Sequence, residues 1–311
     1  MTLQRTQAIA RKKLDADAIS SRLVIIPSVI AIIVFVYCFI GYTVAVSMTN
    51  WNTLLPDWTF VGLKNYKAVF SSFRFKSDIR NMIYFTLLFI GLVITFGMTI
   101  AIILDKKFRG TTFFRMVFML PMAISYVVTG VIWRWCLNPE SGFNLLLGTN
   151  FRWYTNTSVY PPIKIGGISV GFPVAILSVV IATLWQLLGF SIALYLSGLT
   201  SISEDVREAA RIDGANEWQI NTRIIIPLLR PVTMAVFIQM FQISLKVFDL
   251  VYTMTGAGPA YVTDMPAINM YETTFRGHLY SQGAAISVCM LLAVIAIVVP
   301  AQIWGNRGED S

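Results

Sequence analysis

Strongly apolar, uncharged runs recur along the 311-residue chain, each bounded by polar or charged positions. They cover residues 23–48, 82–104 and 116–131, the third bracketed by Arg115 and Arg134. Further runs lie within 171–199, from about 232 toward 254 (interrupted by Lys246 and Asp249), and at 284–304. A helix rises about 1.5 Å per residue, so roughly 20 residues cross a bilayer's apolar layer of about 30 Å. Lipid offers no water to backbone amides, so runs of this kind are predicted to be helices. The pattern predicts an all-α membrane protein with six transmembrane helices. It divides into a basic tail (1–22), one membrane domain (23–304) and a short tail (305–311), with no internal repeat and no independent domain in the loops.

Composition agrees. Hydrophobic residues make up 56% of the chain and charged residues only 13%, about half the charged share of a soluble domain. The net charge of +8 raises the possibility of nucleic acid. The basic residues, however, flank the apolar runs, where they anchor helices at lipid headgroups. They are not interleaved with aromatics as in a single-strand groove, so no nucleic-acid partner is expected.

The first run is too long for a cleaved leader and follows the tail carrying Arg5, Arg11, Lys12, Lys13 and Arg22. Segments that would face the cytoplasm carry 14 Lys and Arg against 9 outside, which predicts that both termini lie in the cytoplasm of a multi-pass cytoplasmic-membrane protein. Cys38, Cys136 and Cys289 lie singly in or beside apolar runs, without metal-ligand or disulfide spacing. His278 is the only histidine and reads as a loop residue.

The one stretch rich in both signs of charge is 203–231, between the fourth and fifth runs. Its residues predict two short helices joined by a turn. Ser203 caps the first, Glu204 and Asp205 complement its positive end, and Gly214 ends it. Asn216 and Gln219 form a capping box on the second, which Pro227 stops before the membrane. Two uses fit such a hairpin equally: a lever gripped by another protein, or a solvated connector.

Glu208-Ala209-Ala210, Gly214, Ile224 and Pro227 resemble the EAA loop of bacterial ABC-importer permeases, with Ile226 where leucine is usual. Asp213-Gly214-Ala215 and Pro227-Leu228-Leu229 are similar to the sugar-permease version. The resemblance continues through Phe60-Val61-Gly62-Leu63-Lys64-Asn65-Tyr66, Phe114-Arg115, Leu120-Pro121, Trp133, Gly142 with Asn144, and Ala284-Ala285-Ile286-Ser287. Thr255-Gly256-Ala257-Gly258-Pro259 looks like the TGGGP turn of the maltose and glycerol-3-phosphate permease branch, with Ala257 replacing a glycine.

This resemblance implies a permease subunit that imports a sugar, in particular an oligosaccharide, and does no chemistry itself. It implies a heterodimer with a second, related permease, an ATPase dimer, and an extracytoplasmic solute-binding protein that selects the sugar. The EAA helix would dock in a cleft of the ATPase, with Glu208 as a polar contact, Ala209 and Ala210 as a close-packed surface, and Gly214 permitting the turn behind them. ATP and magnesium would reside on that partner, since this chain has no phosphate-binding loop.

A sugar crossing the bilayer needs hydrogen-bonding groups facing a cavity. Gln239, Gln242, Lys246 and Asp249 are spaced to share one face of the fifth helix. Ser244 lies apart from them, in a region where the resemblance implies sugar contacts. Gln186, beside Trp185, offers an amide and an aromatic platform in the fourth helix. Gln186, Gln239, Gln242, Ser244 and Lys246 are therefore the substrate-path candidates. The competing reading is structural: amides bonding packed helices, and Lys246 paired with Asp249. Lys246 would also suit a glycerol-phosphate-type cargo, against which Asp249 argues. An ion-driven secondary transporter predicts paired inverted repeats, and an enzyme predicts grouped nucleophile, base and orienter. Neither pattern occurs.

Overall fold

A computed structural model describes residues 25–106, 108–165 and 167–307. The basic tail thus lies outside the described residues, as do Lys107 and the last four positions. The apolar runs are helical: α1 is Ile25–Ser47, and after the short α2 (Lys64–Ser71) comes α3 (Phe73–Asp105). Next come α4 (Thr111–Met119), α5 (Tyr126–Cys136), α6 (Phe143–Leu147) and α7 (Ile176–Thr200). The charged hairpin supplies α8 (Glu204–Ile212) and α9 (Glu217–Leu228). Last are α10 (Arg230–Leu245), α11 (Asp249–Met254), α12 (Pro266–Tyr271) and α13 (Tyr280–Arg307).

Four of these helices (α1, α3, α7 and α13) are long and apolar enough to cross a membrane unaided. Two more crossings exist if each bent pair counts as one: α4 with α5, bent by 103°, and α9 with α10, bent by 63°. The third run is therefore not one straight helix. Beyond α4 it tightens into a 3₁₀ turn, Leu120–Ala123, and Ile124 goes extended before Ser125 caps α5 by accepting from the Val128 amide. The bent segment leans closely on α7, where a Cβ on Gly189 would sit 2.3 Å from the Phe118 carbonyl oxygen. Only glycine permits that approach.

The fifth run is also broken, since α10 stops at Leu245 and α11 begins at Asp249. Asp249 then occupies the first turn of α11, where a carboxylate complements the helix dipole. Pro227 does not end the hairpin. It lies inside α9, whose preceding turn widens to π geometry over Asn221–Ile225, and the bend falls at Leu229. The π turn is a local relief for a ring that would otherwise clash with the preceding turn.

The expectation of a purely helical chain also needs correcting. Between α6 and α7, β1 (Val159–Tyr160) pairs with β4 (Phe172–Pro173), and β2 (Lys164–Ile165) with β3 (Ile168–Ser169), both antiparallel. This small nested hairpin precedes the fourth long helix, which starts at Ile176, inside the predicted 171–199 run. The predicted tail from 305 instead begins as part of α13.

The core forms where α3, α7 and α10 meet, around Phe85, Phe89, Val179, Ile192, Tyr195 and Met240, all buried. By contrast α1 is exposed along most of its length and leans on α13. Spanning 33 residues, α3 is about 50 Å long and carries polar residues through about its first two and a half turns. There Arg74 pairs with Asp264 at 2.6 Å and with Glu272 at 2.7 Å. Asn81 donates to the carbonyls of Tyr261 and Asp264, and Asn269 donates to Asp78. These contacts clamp the segment between α11 and α13 onto the start of α3.

Candidate functional site

The hairpin follows its local sequence closely. The Asp205 amide donates to the Ser203 hydroxyl at 3.2 Å. Asn216 and Gln219 exchange reciprocal bonds of 2.9 Å. Gly214 adopts φ +80°, and the amides of Gly214 and Ala215 close the end of α8 on Arg211 and Ala210. That left-handed residue is what the helix terminus requires.

Ion pairs fasten the hairpin to the C-terminal end of α3. Arg207 meets Asp105 at 2.7 Å, and Lys106 meets Glu217 at 3.6 Å. Arg211 bridges Glu204 at 3.3 Å and Glu217 at 3.2 Å, and its hydrogen bond holds the Glu217 carboxyl below the usual glutamate range.

Facing away from the chain are Glu208, Ala209, Asp213 and Gly214, with Pro227 exposed and Ile224 half-buried. Among the described residues Glu208 enters no ion pair. Ala210 departs from expectation: it is 7% exposed, because it lies on the face of α8 that packs inward, and so offers no outward surface. The sequence reading missed Ile212 and Trp218, which are 85% and 76% exposed. Their signal was available, since large apolar residues in a charged hairpin lack a local burial partner.

The second site lies at the two helix breaks. A cavity of about 440 Å³ is lined by Ser125 and Tyr126 from the α4–α5 bend, Gln186 from α7, and Gln239, Ile243 and Asp249. It is joined by a smaller one, about 180 Å³, that shares Tyr126, Ile243 and Asp249 and adds Lys246 and Phe248. Gln186 is the key residue. Its amide donates at 2.8 Å to the Ile124 carbonyl, which the helix break leaves without an intrahelical donor. Its own carbonyl oxygen is buried without a partner. An acceptor so placed costs about 1–3 kcal/mol unless it is bonded.

Of the substrate-path candidates, Gln186 and Gln239 therefore share the larger cavity, and Lys246 borders the smaller. Gln242 is half-buried and lines neither. Ser244 is buried on the opposite side, donating to the Phe241 carbonyl at 2.8 Å and accepting from Thr86 at 3.1 Å. The four-residue stripe does not persist because the helix ends at Leu245. Lys246 and Asp249 form no ion pair within 4 Å among the described residues. Trp185 packs edge-on against Trp133 at 5.9 Å and lines neither cavity. Ser125 and Tyr126 were missed, although Ser125 follows Pro121 closely enough to have suggested a new helix start.

Bent helices around a largely apolar cavity that carries a few polar side chains, with a charged hairpin at one end, suit a membrane transport subunit. Residues 93–307 match the family of binding-protein-dependent transport system inner membrane components. The chain is 36% identical over 93% of its length to a probable ABC transporter permease of Pyrococcus horikoshii, covering 96% of that protein. It is 32% identical to the xylose/arabinose import permease XacH of Haloferax volcanii, covering 85% of this chain and 81% of that one. With the trehalose/maltose permease MalF of Thermococcus litoralis the figures are 28%, 89% and 90%. Its fold matches a chain of a bacterial ABC transporter that imports the acidic polysaccharide alginate, with a TM-score of 0.77 at 19% identity, covering 95% of this chain and 98% of that one. The protein belongs to this permease family, and its relatives are transport subunits, not enzymes.

Proposed function

We propose that this chain is one of two related permease subunits of an ATP-driven sugar importer. It receives an oligosaccharide from a solute-binding protein and passes it through the cavity at the breaks between α4 and α5 and between α10 and α11. In this reading the bent pairs complete six spans. Both termini and the hairpin face the cytoplasm, in keeping with the Lys and Arg bias. An ATPase dimer carries ATP and magnesium and grips α8 through Glu208, Ala209, Asp213 and Gly214, with Ile224 and Pro227 shaping the return helix.

The observation that carries the cargo assignment is the cavity at the helix breaks, lined by the amides Gln186 and Gln239 with Tyr126 and Asp249. A hydroxyl-rich guest can hydrogen-bond with such a lining. Two named relatives import or are described for xylose/arabinose and trehalose/maltose, which points the same way. A glycerol-phosphate cargo fits less well, because unpaired Asp249 lines both cavities and would repel an anion.

The test is ATPase stimulation in the four-component assembly, reconstituted with binding protein loaded in turn with maltotriose, trehalose, xylose, arabinose, alginate oligosaccharide or glycerol-3-phosphate. Stimulation by a neutral sugar is expected. A response to glycerol-3-phosphate alone overturns the cargo assignment, and uptake without any ATPase overturns the importer.

A further inference from the structure

Beyond the smaller cavity, aromatic rings continue without interruption toward the end of the molecule far from the hairpin. Phe248, a wall of that cavity, stacks on Tyr252 at 5.1 Å and meets Tyr271 at 5.2 Å. Tyr252 and Tyr271 are 5.6 Å apart, and Tyr271 meets Phe275 at 5.3 Å. Arg276 donates to the Tyr252 hydroxyl at 2.6 Å and lies 5.7 Å from that ring's centre.

The rings lie away from the packed side of their own helices. Leu250, Val251 and Met254 of α11 and Ala267 and Ile268 of α12 fill the interior. Phe248, Tyr252 and Tyr271 are only half-buried, and Phe275 is 61% exposed. A bilayer-interface belt also exposes tyrosines, at headgroup level. Here the rings pack in series and the series ends beside Lys246 and Asp249.

We propose that Tyr271 and Phe275, backed by Phe248 and Tyr252 with Arg276 lying over the Tyr252 ring, form a stacking subsite for the pyranose rings of an oligosaccharide entering the cavity. A pyranose has two apolar C–H faces that lie flat on an aromatic ring, and a rim of hydroxyls that tyrosine and arginine bond. The subsite rests on the sugar-importer reading. It adds that longer, ring-stacking sugars are held before they reach Gln186.

Saturation-transfer NMR tests this on the assembled transporter in nanodiscs, with maltotriose and xylotriose as probes. Wild type is compared with a ladder variant (Tyr252→Leu, Tyr271→Leu), the single variant Phe275→Leu, and a cavity variant (Gln186→Ala, Gln239→Ala). Leucine keeps apolar volume, and exposed Phe275 is replaceable without refolding risk. Transfer to the sugar C–H protons is expected to fall about three- to tenfold in the ladder variant, to fall in Phe275→Leu, and to persist in the cavity variant. Unchanged transfer in both aromatic variants overturns the subsite, while normal sugar uptake in the same variants leaves the importer reading standing. Loss of uptake in wild type with transfer intact does the reverse. Quenching of a Phe275→Trp reporter by brominated lipid would assign the rings to lipid and also overturn the subsite.

Discussion

Asp105, the last residue of α3, accepts from Arg207 of α8 at 2.7 Å, and both side chains are largely buried, at 17% and 16% exposed. The pair joins the helix proposed to be gripped by the ATPase to the longest helix of the molecule. Breaking it by Asp105→Asn or Arg207→Gln removes a charge-assisted bond worth about 1.5–3 kcal/mol. The expected result is a lower unfolding temperature for the assembled complex and weaker stimulation of ATPase by sugar-loaded binding protein. The exchange Asp105→Arg with Arg207→Asp should recover part of both. Full stimulation in the single variants would show that the pair plays no part in coupling.

Gly214 is a test of backbone geometry alone. A Cβ there meets nothing within 4 Å, yet φ is +80°. Gly214→Ala should therefore cost about 1 kcal/mol through the left-handed backbone, and Gly214→Asn less. Sugar-stimulated ATPase should fall in the order Gly, Asn, Ala, while sugar affinity of the binding protein stays constant. Equal activity of all three refutes the turn's role in coupling.

Gly189 tests packing in place of backbone. Its φ is ordinary, but a Cβ would collide with the Phe118 carbonyl at 2.3 Å. Gly189→Ala should push α4 from α7 at a cost of about 1–3 kcal/mol, seen as a lowered unfolding temperature and reduced uptake. A variant as stable as wild type would mean that the bent segment sits further from α7.

Gln186 and Gln242 should separate sharply. Gln186→Leu removes the donor to the Ile124 carbonyl, leaving a buried acceptor at a cost of about 1–3 kcal/mol, and removes an amide from the cavity lining. Uptake of the transported sugar should drop in Gln186→Leu and stay near wild type in Gln242→Leu, measured in proteoliposomes. The opposite ranking would move the path to the other side of α10.

What the sequence disclosed follows from how local each feature is. The hairpin was readable because its caps and left-handed glycine lie within a few residues of the groups they satisfy. The apolar runs were readable for the same reason, since lipid imposes one requirement on each run separately. The breaks were not. The α4–α5 bend depends on Gln186, 62 residues from the carbonyl it satisfies. Hydropathy placed the start of the second helix at 82, whereas α3 begins at Phe73, because Arg74, Asp78 and Asn81 find partners some 180–200 residues away. Ser244 could not be placed from spacing alone: its side chain lies on the far flank of α10, against Thr86 of α3.

The bends also concentrate compliance. Where α4 meets α5, α9 meets α10 and α10 meets α11, the chain can hinge. Over the 33 residues of α3 it runs straight through without a break. Its two ends are pinned, by Arg74, Asp78 and Asn81 at one and by Asp105 at the other, so α3 behaves as a drive shaft keyed at both ends. Rotation or thrust applied at Asp105 has nowhere to dissipate before it arrives at Asp264 and Glu272. The keying is angular as well as axial: one residue inserted at the middle of α3 would turn one key about 100° against the other, and both sets of polar contacts could no longer engage at once.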